Sequence, residues 1–352
     1  MTDSEKRPPR IDEVARIAGV SPITVSRALR QPEKVAEDKR RRIQAAIEQT
    51  GYAPNQDAIR LRSGGRPAAV TSAGAAAEAE AAPSTLVAAF VSNIANPQFS
   101  RAVRACADVL EPAGYRLMMG ETAYSYARET AMIGSLRELR PAAVLFTGVI
   151  ELEENREALR SLGVPVMETW AYPQDPIDML VGFSNFDGGR LVGEHFGERG
   201  YRRIAYVGRG GGRGVLRLQG FKEGLAKHGL RPAAELPVDG PAGLAEGRRA
   251  MAALLDQGEP LDAAFFGNDL LAIGALSEAR RRGLAVPGDL AVAGFGDIEL
   301  SEALEPGLTT VRIDSDDIGR RAGRMLLARL GGERPERGIE LVELSLVVRA
   351  SG

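Results

Sequence analysis

Between Ile11 and Thr50 the apolar positions recur at helical spacing. Ile11, Val14, Ala15 and Ala18 fall on one face. Gly19 can supply a turn, and Ser21 followed by Pro22 reads as the N-cap and first residue of a second helix. Val25 and Leu29 then share a face, and a third amphipathic helix from about Ala36 to Thr50 carries Ile43 and Ile47. Two short helices around a glycine turn make a helix-turn-helix, whose second helix offers its N-terminal residues to base edges in a major groove. After Ser84 the period changes. TLVAAFVS, YRLMMGE, AAVLFTGV, VPVMETW, RIAYVG, AAFFGND and LAVAGFG are short apolar runs of the kind found in strands buried on both faces. Amphipathic stretches at 98–113, 127–139, 186–199, 217–228, 244–257 and 269–282 alternate with them, and the tail after Leu344 reads as a last strand.

This pattern predicts an all-α N-terminal helix-turn-helix domain joined to an α/β body of two doubly wound lobes with parallel sheets. The boundaries expected from it are 1–54 for the head and 65–84 for a linker. The linker follows from Ser63–Ser84, where Gly, Pro, Ala and Ser dominate; a short Ala-rich helix at 75–82 is the alternative. Ligands of doubly wound sheets bind beyond the carboxyl ends of the strands. The loops 92–99, 121–126, 168–172, 209–217, 268–269 and 296–298 are therefore the ones to watch.

Charge divides the chain in the same place. Residues 1–66 carry 14 Lys and Arg against 9 Asp and Glu, and the remainder carries 31 against 38. A basic head on an acidic body suits a polyanion-binding module attached to a different one. Lys39, Arg40, Arg41 and Arg42 crowd the start of the third helix, as phosphate contacts or as a solvated basic face. The single cysteine, Cys106, rules out an internal disulfide framework and sits among Val103, Ala107 and Leu110 as buried filler. The N-terminus has no apolar signal segment, and no run approaches membrane-spanning length, so a cytoplasmic protein without a membrane partner is expected.

Catalytic chemistry finds little support. The run GRGGGRG at 208–214 lacks the G-x-G-x-x-G spacing and the Lys-Ser/Thr of a phosphate loop. His195 and His228 share no metal-ligand spacing with each other or with Cys106. No G-x-S-x-G is present. No enzyme activity, cofactor or metal is expected.

The combined string IDEVARIAGVSPITVSRALRQPEKVAEDKRRRIQAAIEQTGYAPN resembles the N-terminus of the lactose-repressor family. The likeness runs on through GFSNFDGGRLVGEHFGERGYRRIAYVG, RLQGF, GNDLLAIGAL, LAVPGDLAVAGFGD and LSLVVRASG, and so covers the chain apart from the linker. PEKVA, DMLVGFSNF and LEPGLTTV are most similar to the gluconate-operon type of repressor. The resemblance implies a repressor that binds double-stranded operator DNA as a homodimer and a sugar or sugar-acid effector in a periplasmic-binding-protein-like body, with a hinge helix over 55–64, a first lobe of 85–182 plus 312–332 and a second of 183–311 plus 339–350. An activator or corepressor-dependent regulator of the same family is the alternative, and a solute-binding protein of a transport system a more distant one.

Residue roles follow from that likeness. Ser21 caps the recognition helix, and Pro22 and Ile23 stand where the family varies with its operator. Ile23 offers apolar contact to a thymine methyl, or packs in the core. Arg27 suits guanine O6 and N7, or a phosphate. Thr24 and Ser26 hold phosphates. Asn55 caps a hinge helix whose Leu61 wedges into the minor groove. Ser92, Asn93, Phe99, Trp170, Arg217, Asn268 and Asp297 match effector-contact positions. Trp170 offers a stacking face or packs in the core. Arg217 clamps a carboxylate or pairs with a surface acid. Many relatives carry an acid at the position of Gly296, where it binds sugar hydroxyls; here the acid is displaced to Asp297, which leans the reading towards a sugar acid such as gluconate.

Overall fold

The computed structural model describes residues 11–30, 35–50, 84–172, 175–240, 242–333 and 338–352. The chain divides into two units, Met1–Ala79 and Glu80–Gly352. The expected hinge helix, with Asn55 and Leu61, and the linker up to residue 83 lie outside the described residues.

In the first unit α1 (Ile11–Ala18), α2 (Pro22–Arg30) and α3 (Glu37–Thr50) enclose a small apolar centre. Val14, Ala15, Ala18, Val25, Ile43 and Ala46 are buried there, with Ile47 at its margin. The helical spacing of these positions is what places them on facing surfaces. Ser21 caps α2 as expected, its Oγ accepting from the Thr24 amide at 3.2 Å.

The second unit alternates strands and helices. It begins with β1 (Leu86–Val91), α4 (Pro97–Leu110), β2 (Arg116–Glu121), α5 (Tyr126–Leu139), β3 (Ala143–Phe146), α6 (Glu153–Ser161), β4 (Val166–Thr169) and β5 (Met179–Gly182). It continues with α7 (Asn185–Glu198), β6 (Ile204–Gly208), α8 (Arg213–Ala226), β7 (Ala234–Pro237), α9 (Leu244–Asp256), β8 (Ala263–Phe266), α10 (Asp269–Arg281) and β9 (Ala291–Gly296). Last come α11 (Glu299–Ala303), β10 (Thr309–Arg312), α12 (Ser315–Leu330), β11 (Ile339–Leu341) and β12 (Ser345–Val347).

These strands form two six-stranded sheets. The first runs β11-β5-β4-β3-β1-β2 and the second β12-β10-β9-β8-β6-β7. All pairings are parallel except β10 with β12. β3, β4, β6, β8 and β9 are buried along their whole length, which is why they read as unbroken apolar runs. Cys106 is buried in α4, where burial pushes its thiol up to about 12, so it is inert filler.

The chain passes between the lobes three times: from β5 to α7, from β10 back to α12, and from β11 to β12. The third passage differs from the expected boundary. The sequence reading gives 339–350 to the second lobe, but Ile339–Leu341 adds to the first sheet, with Ile339 opposite Leu180. Three residues on a sheet edge carry too little alternation for their partner to be read from pattern. The short strand β7 and the helix α6 also escape the pattern, and α8 begins four residues before its expected start at 217.

Candidate effector cleft and DNA-reading helix

Where the two lobes face each other, the carboxyl ends of their strands line a cavity of about 320 Å³. Five expected residues meet there: Ser92 from the end of β1, Phe99 from α4, Trp170 after β4, Arg217 from α8 and Asn268 before α10. Phe99 and Trp170 pack edge to face, ring centroids 5.0 Å apart, and both are nearly fully buried while lining the cavity. Trp170 has φ 67 and Tyr124, another lining residue, φ 58. Left-handed backbone at such residues costs about 1–3 kcal/mol each and gathers at functional sites. Asn268 Oδ1 caps α10 by accepting from the Leu271 amide, while its Nδ2 donates to Ala242 O at 3.0 Å. One amide hydrogen of Asn268 is left to spare.

Two expected contacts are corrected. Asn93 lies outside the cavity lining; its Oδ1 accepts from the Ala95 amide at 2.9 Å and fixes the turn before α4. The neighbouring Asn96 lines the cavity and caps α4 by accepting from Gln98 N. Asp297 is also absent from the lining. Its carboxylate is tied to Arg312 at 2.7 Å and to Arg349 at 2.8 Å, so its charge is spent on β10 and the C-terminal tail.

The most charged part of the cleft was not foreseen in full. Arg209, Arg213 and Arg217 recur every fourth residue along the segment that enters α8 and its first turn. Arg217 lies 3.5 Å above the Phe295 ring; its Nη2 donates to Asn185 Oδ1 at 2.5 Å, its Nη1 to Gly267 O, and its Nε has no partner among the described residues. Burial pushes its pKa down to about 10, and the charge of Arg213 pushes the same way. Arg213 crosses to the first lobe, donating from Nη2 to Ser92 Oγ at 3.3 Å and from Nη1 to Thr147 O at 3.4 Å; burial lowers its pKa too. Arg209 stacks on Tyr124 at 3.9 Å, again across the cleft. None of the three forms an ion pair with a carboxylate among the described residues; their partners are carbonyls, an amide, a hydroxyl and rings. The four-residue spacing was the signal that could have found them.

GRGGGRG therefore serves as a bend that carries arginines. Gly212 caps α8 with φ 50 and ψ −124, and a Cβ there would stand 2.9 Å from Glu151 Oε1 of the other lobe. Only glycine takes that backbone at so close an approach. Opposite the arginines, Glu129 lines the cavity and accepts from Asn155 Nδ2 at 2.9 Å, and its carboxyl is raised mainly by burial. Tyr126 donates its hydroxyl hydrogen to Glu151.

In the head, Pro22 and Arg27 are exposed on α2, and Thr24 is half-buried with its Oγ1 2.9 Å from Ser21 Oγ. The side chains of Ile23 and Ser26 lie outside what is described. Arg41 and Arg42 pair with Glu37 and Asp38 one turn earlier, at 3.5 and 3.6 Å. Such exposed pairs hold little energy and release the arginines easily. Among the described residues no cluster of metal-ligating side chains occurs, and no helix is long and apolar enough to cross a membrane.

Comparison with known proteins agrees with this arrangement. Residues 10–55 match the bacterial regulatory proteins of the lacI family, and residues 194–352 match the periplasmic binding protein-like domain. The chain is 36% identical to an HTH-type transcriptional regulator, GntR, of Pseudomonas aeruginosa over 92% of its length and 90% of the relative's. It is 29% identical to the regulator of that name in Escherichia coli, over 94% of each chain. Among solved structures, a complex of the transcriptional regulator CelR with cellobiose superposes with a TM-score of 0.68 at 28% identity, covering 98% of this chain and all of the other. The lac repressor dimer bound to operator and an anti-inducer superposes with a TM-score of 0.66 at 26% identity, covering 98% and 99%. With a helix-turn-helix head and a two-lobed binding body spanned end to end by such relatives, the chain belongs to the lacI family of bacterial regulatory proteins and is a DNA-binding transcriptional regulator.

Proposed function

We propose that the chain represses genes for using a sugar acid, gluconate or a close analogue, and leaves a palindromic operator when that acid fills the cleft. One observation carries the choice of ligand. Arg213 and Arg217 sit one helical turn apart at the cavity with lowered pKa values and no carboxylate partner among the described residues. Two desolvated cations without a counterion favour an anionic ligand, and the fork of arginine suits a carboxylate. The polyol chain of the acid then has Ser92, Asn268 and Glu129 as hydrogen-bond partners and Phe99 and Trp170 as apolar walls. The name of the Pseudomonas relative points the same way.

A palindrome asks for two heads in two-fold relation. The edge strand β2 supports a homodimer, since Met118 and Met119 are 57% and 42% exposed on it. An apolar strand edge is a pairing surface that a second copy covers. α2 reads the operator, with Ser21, Pro22, Ile23, Thr24, Ser26 and Arg27 at the DNA; Asn55 and Leu61 serve the hinge.

The test is a titration of a labelled palindromic duplex by fluorescence anisotropy at fixed salt, with and without gluconate, glucose or cellobiose. The expected result is two chains per duplex and release by gluconate alone. Release by neutral sugars only would overturn the ligand, and equal affinity for random duplex would overturn the operator reading.

A further inference from the structure

We infer that Gln98 is a specificity-determining residue: its neutral carboxamide takes the space that a side chain at Gly296 would fill, and so keeps the cleft floor free of a carboxylate and selects acids over neutral sugars. The inference rests on the sugar-acid reading above and names what enforces it.

Gln98 lies in the first turn of α4, lines the cavity and is only 5% exposed. Both ends of its amide are held. Nε2 donates to Gly296 O at the end of β9, and Oε1 accepts from Ser315 Oγ at the start of α12. The carboxamide thus joins the first lobe to the segment where the chain passes back from the second. A buried amide satisfied at both ends keeps one orientation.

Gly296 has φ 143, and a Cβ on it would lie 3.2 Å from Gln98 Nε2 and 3.3 Å from Asp269 Oδ2. A side chain there would displace the carboxamide and press on a carboxylate. The neighbouring residue, Phe295, carries the Arg217 guanidinium on its ring face. Gln98 and Arg217 line the same cavity, so an acid in place of the carboxamide would set a negative charge in the cleft that Arg217 serves.

The carboxylate that a Cβ at Gly296 would meet is already held by three donors. Asp269 accepts from Ile298 N at 2.9 Å, Ser301 Oγ at 2.8 Å and Thr310 Oγ1 at 2.5 Å. Asp269 acts on Arg217 only at a distance and forms no ion pair with it, and Gln98 brings no charge, so the Arg217 guanidinium stays open to a ligand carboxylate. Glycine at 296 and glutamine at 98 act as a matched pair: the first makes room and the second fills it without charge.

The experiment uses the full chain and two probes that differ only at one end: gluconate, and glucitol, in which a hydroxymethyl group replaces the carboxylate. Affinities are read by isothermal titration, and thermal unfolding checks the fold. Gln98→Glu is expected to lower gluconate affinity at least about tenfold without lowering that for glucitol, so the preference ratio collapses, because a like charge placed beside the ligand carboxylate repels it. Gln98→Met keeps length without charge and lowers both affinities together, leaving the ratio within about threefold of wild type, since it removes only the positioning bonds. Should Gln98→Glu fail to fold, Gln98→Lys moves the ratio towards gluconate. An unchanged ratio in Gln98→Glu or Gln98→Lys, or an equal change in Gln98→Met, overturns the role of Gln98 while leaving the sugar-acid reading intact. Failure of the wild-type protein to bind gluconate while binding glucitol overturns that reading, and this inference with it.

Discussion

In the first sheet β2, β1, β3, β4 and β5 lie side by side in the order that β7, β6, β8, β9 and β10 repeat in the second. Each lobe aims the carboxyl ends of its strands at the other, yet they furnish the cleft differently. The second lobe brings Arg209, Arg213, Arg217 and Asn268; the first brings Ser92, Gln98, Tyr124, Glu129 and the Phe99–Trp170 pair. One side supplies fixed positive charge, and the other supplies hydroxyls, an amide, the Glu129 carboxyl and apolar walls. The difference assigns an order to ligand capture. On the sugar-acid reading proposed above, the anion is drawn first to the second lobe, where the charge is, and the first lobe then meets the polyol chain. Arg213 already reaches Ser92 and Thr147 across the cleft, so a ligand held by Arg213 would bear on both lobes. Operator and effector binding are linked through the same chain, so under the proposed release the effector lowers operator affinity and the operator lowers effector affinity by the same factor.

The strongest way to break this asymmetry is to remove the charge that the ligand meets first. Arg217→Met keeps the apolar contact with Phe295 but removes the guanidinium. Loss of a charge-paired donor in a desolvated site costs about 3 kcal/mol or more, roughly a hundredfold in affinity. Gluconate titration of the variant should show that loss, with release from the operator shifted to correspondingly higher gluconate. Equal affinity in variant and wild type would remove the second lobe's claim to the carboxylate.

Arg213→Gln sharpens the comparison, because Arg213 belongs to both lobes. Its two bonds to the first lobe are long and are made to a hydroxyl and a carbonyl, so they hold closure weakly before ligand arrives. The expected loss in gluconate affinity is about tenfold, in line with one charge-assisted hydrogen bond at about 1.5 kcal/mol. Small-angle scattering separates its roles: the variant should stay more extended at saturating gluconate than wild type does. A variant as compact as wild type at saturation would confine Arg213 to binding.

The same asymmetry explains what could be read from the chain alone. The head was legible because Val14, Ala15, Ala18, Val25 and Ile43 keep a strict helical spacing and Ser21-Pro22 marks a helix start. The buried strands were legible because parallel sheets covered on both faces leave no polar residue in runs such as AAFF and AVAGFG. Ser92, Trp170 and Asn268 follow the ends of those strands, and Phe99 and Arg217 sit on the helices that come next, so the strand pattern and the resemblance together pointed to residues that line the cavity. Asp297 and Asn93 misled because residue type does not reveal a partner. Asp297 meets Arg349 from 52 positions away in the chain, and Asn93 turns back on its own loop. Gln98 could not be found either, since its role comes from Gly296 and Ser315, which the fold alone brings beside it.

The smallest effect tests whether the charge of Arg217 itself is what the ligand reads. The folded pKa of this base is depressed to about 10, chiefly by burial. The charged form is thus disfavoured in the free protein, and a bound anion raises the pKa again. Binding is consequently undiminished at neutral pH, where Arg217 is charged in any case, and is lost as pH rises through about 10, with uptake of a proton on binding in that range. At half a unit above the folded pKa about a quarter of the free protein keeps the charge, so gluconate affinity should fall roughly fourfold. Tyr206 is the titratable group whose charge acts most on Arg217, and burial holds its hydroxyl above its ordinary value. Glucitol is the control, since a neutral ligand gains nothing from the charge and its affinity should stay flat over the same interval. A parallel fall for both probes would trace the pH effect to the protein's stability rather than to the arginine, whereas a fall for gluconate that persists in Arg217→Met would move the site of recognition to Arg213.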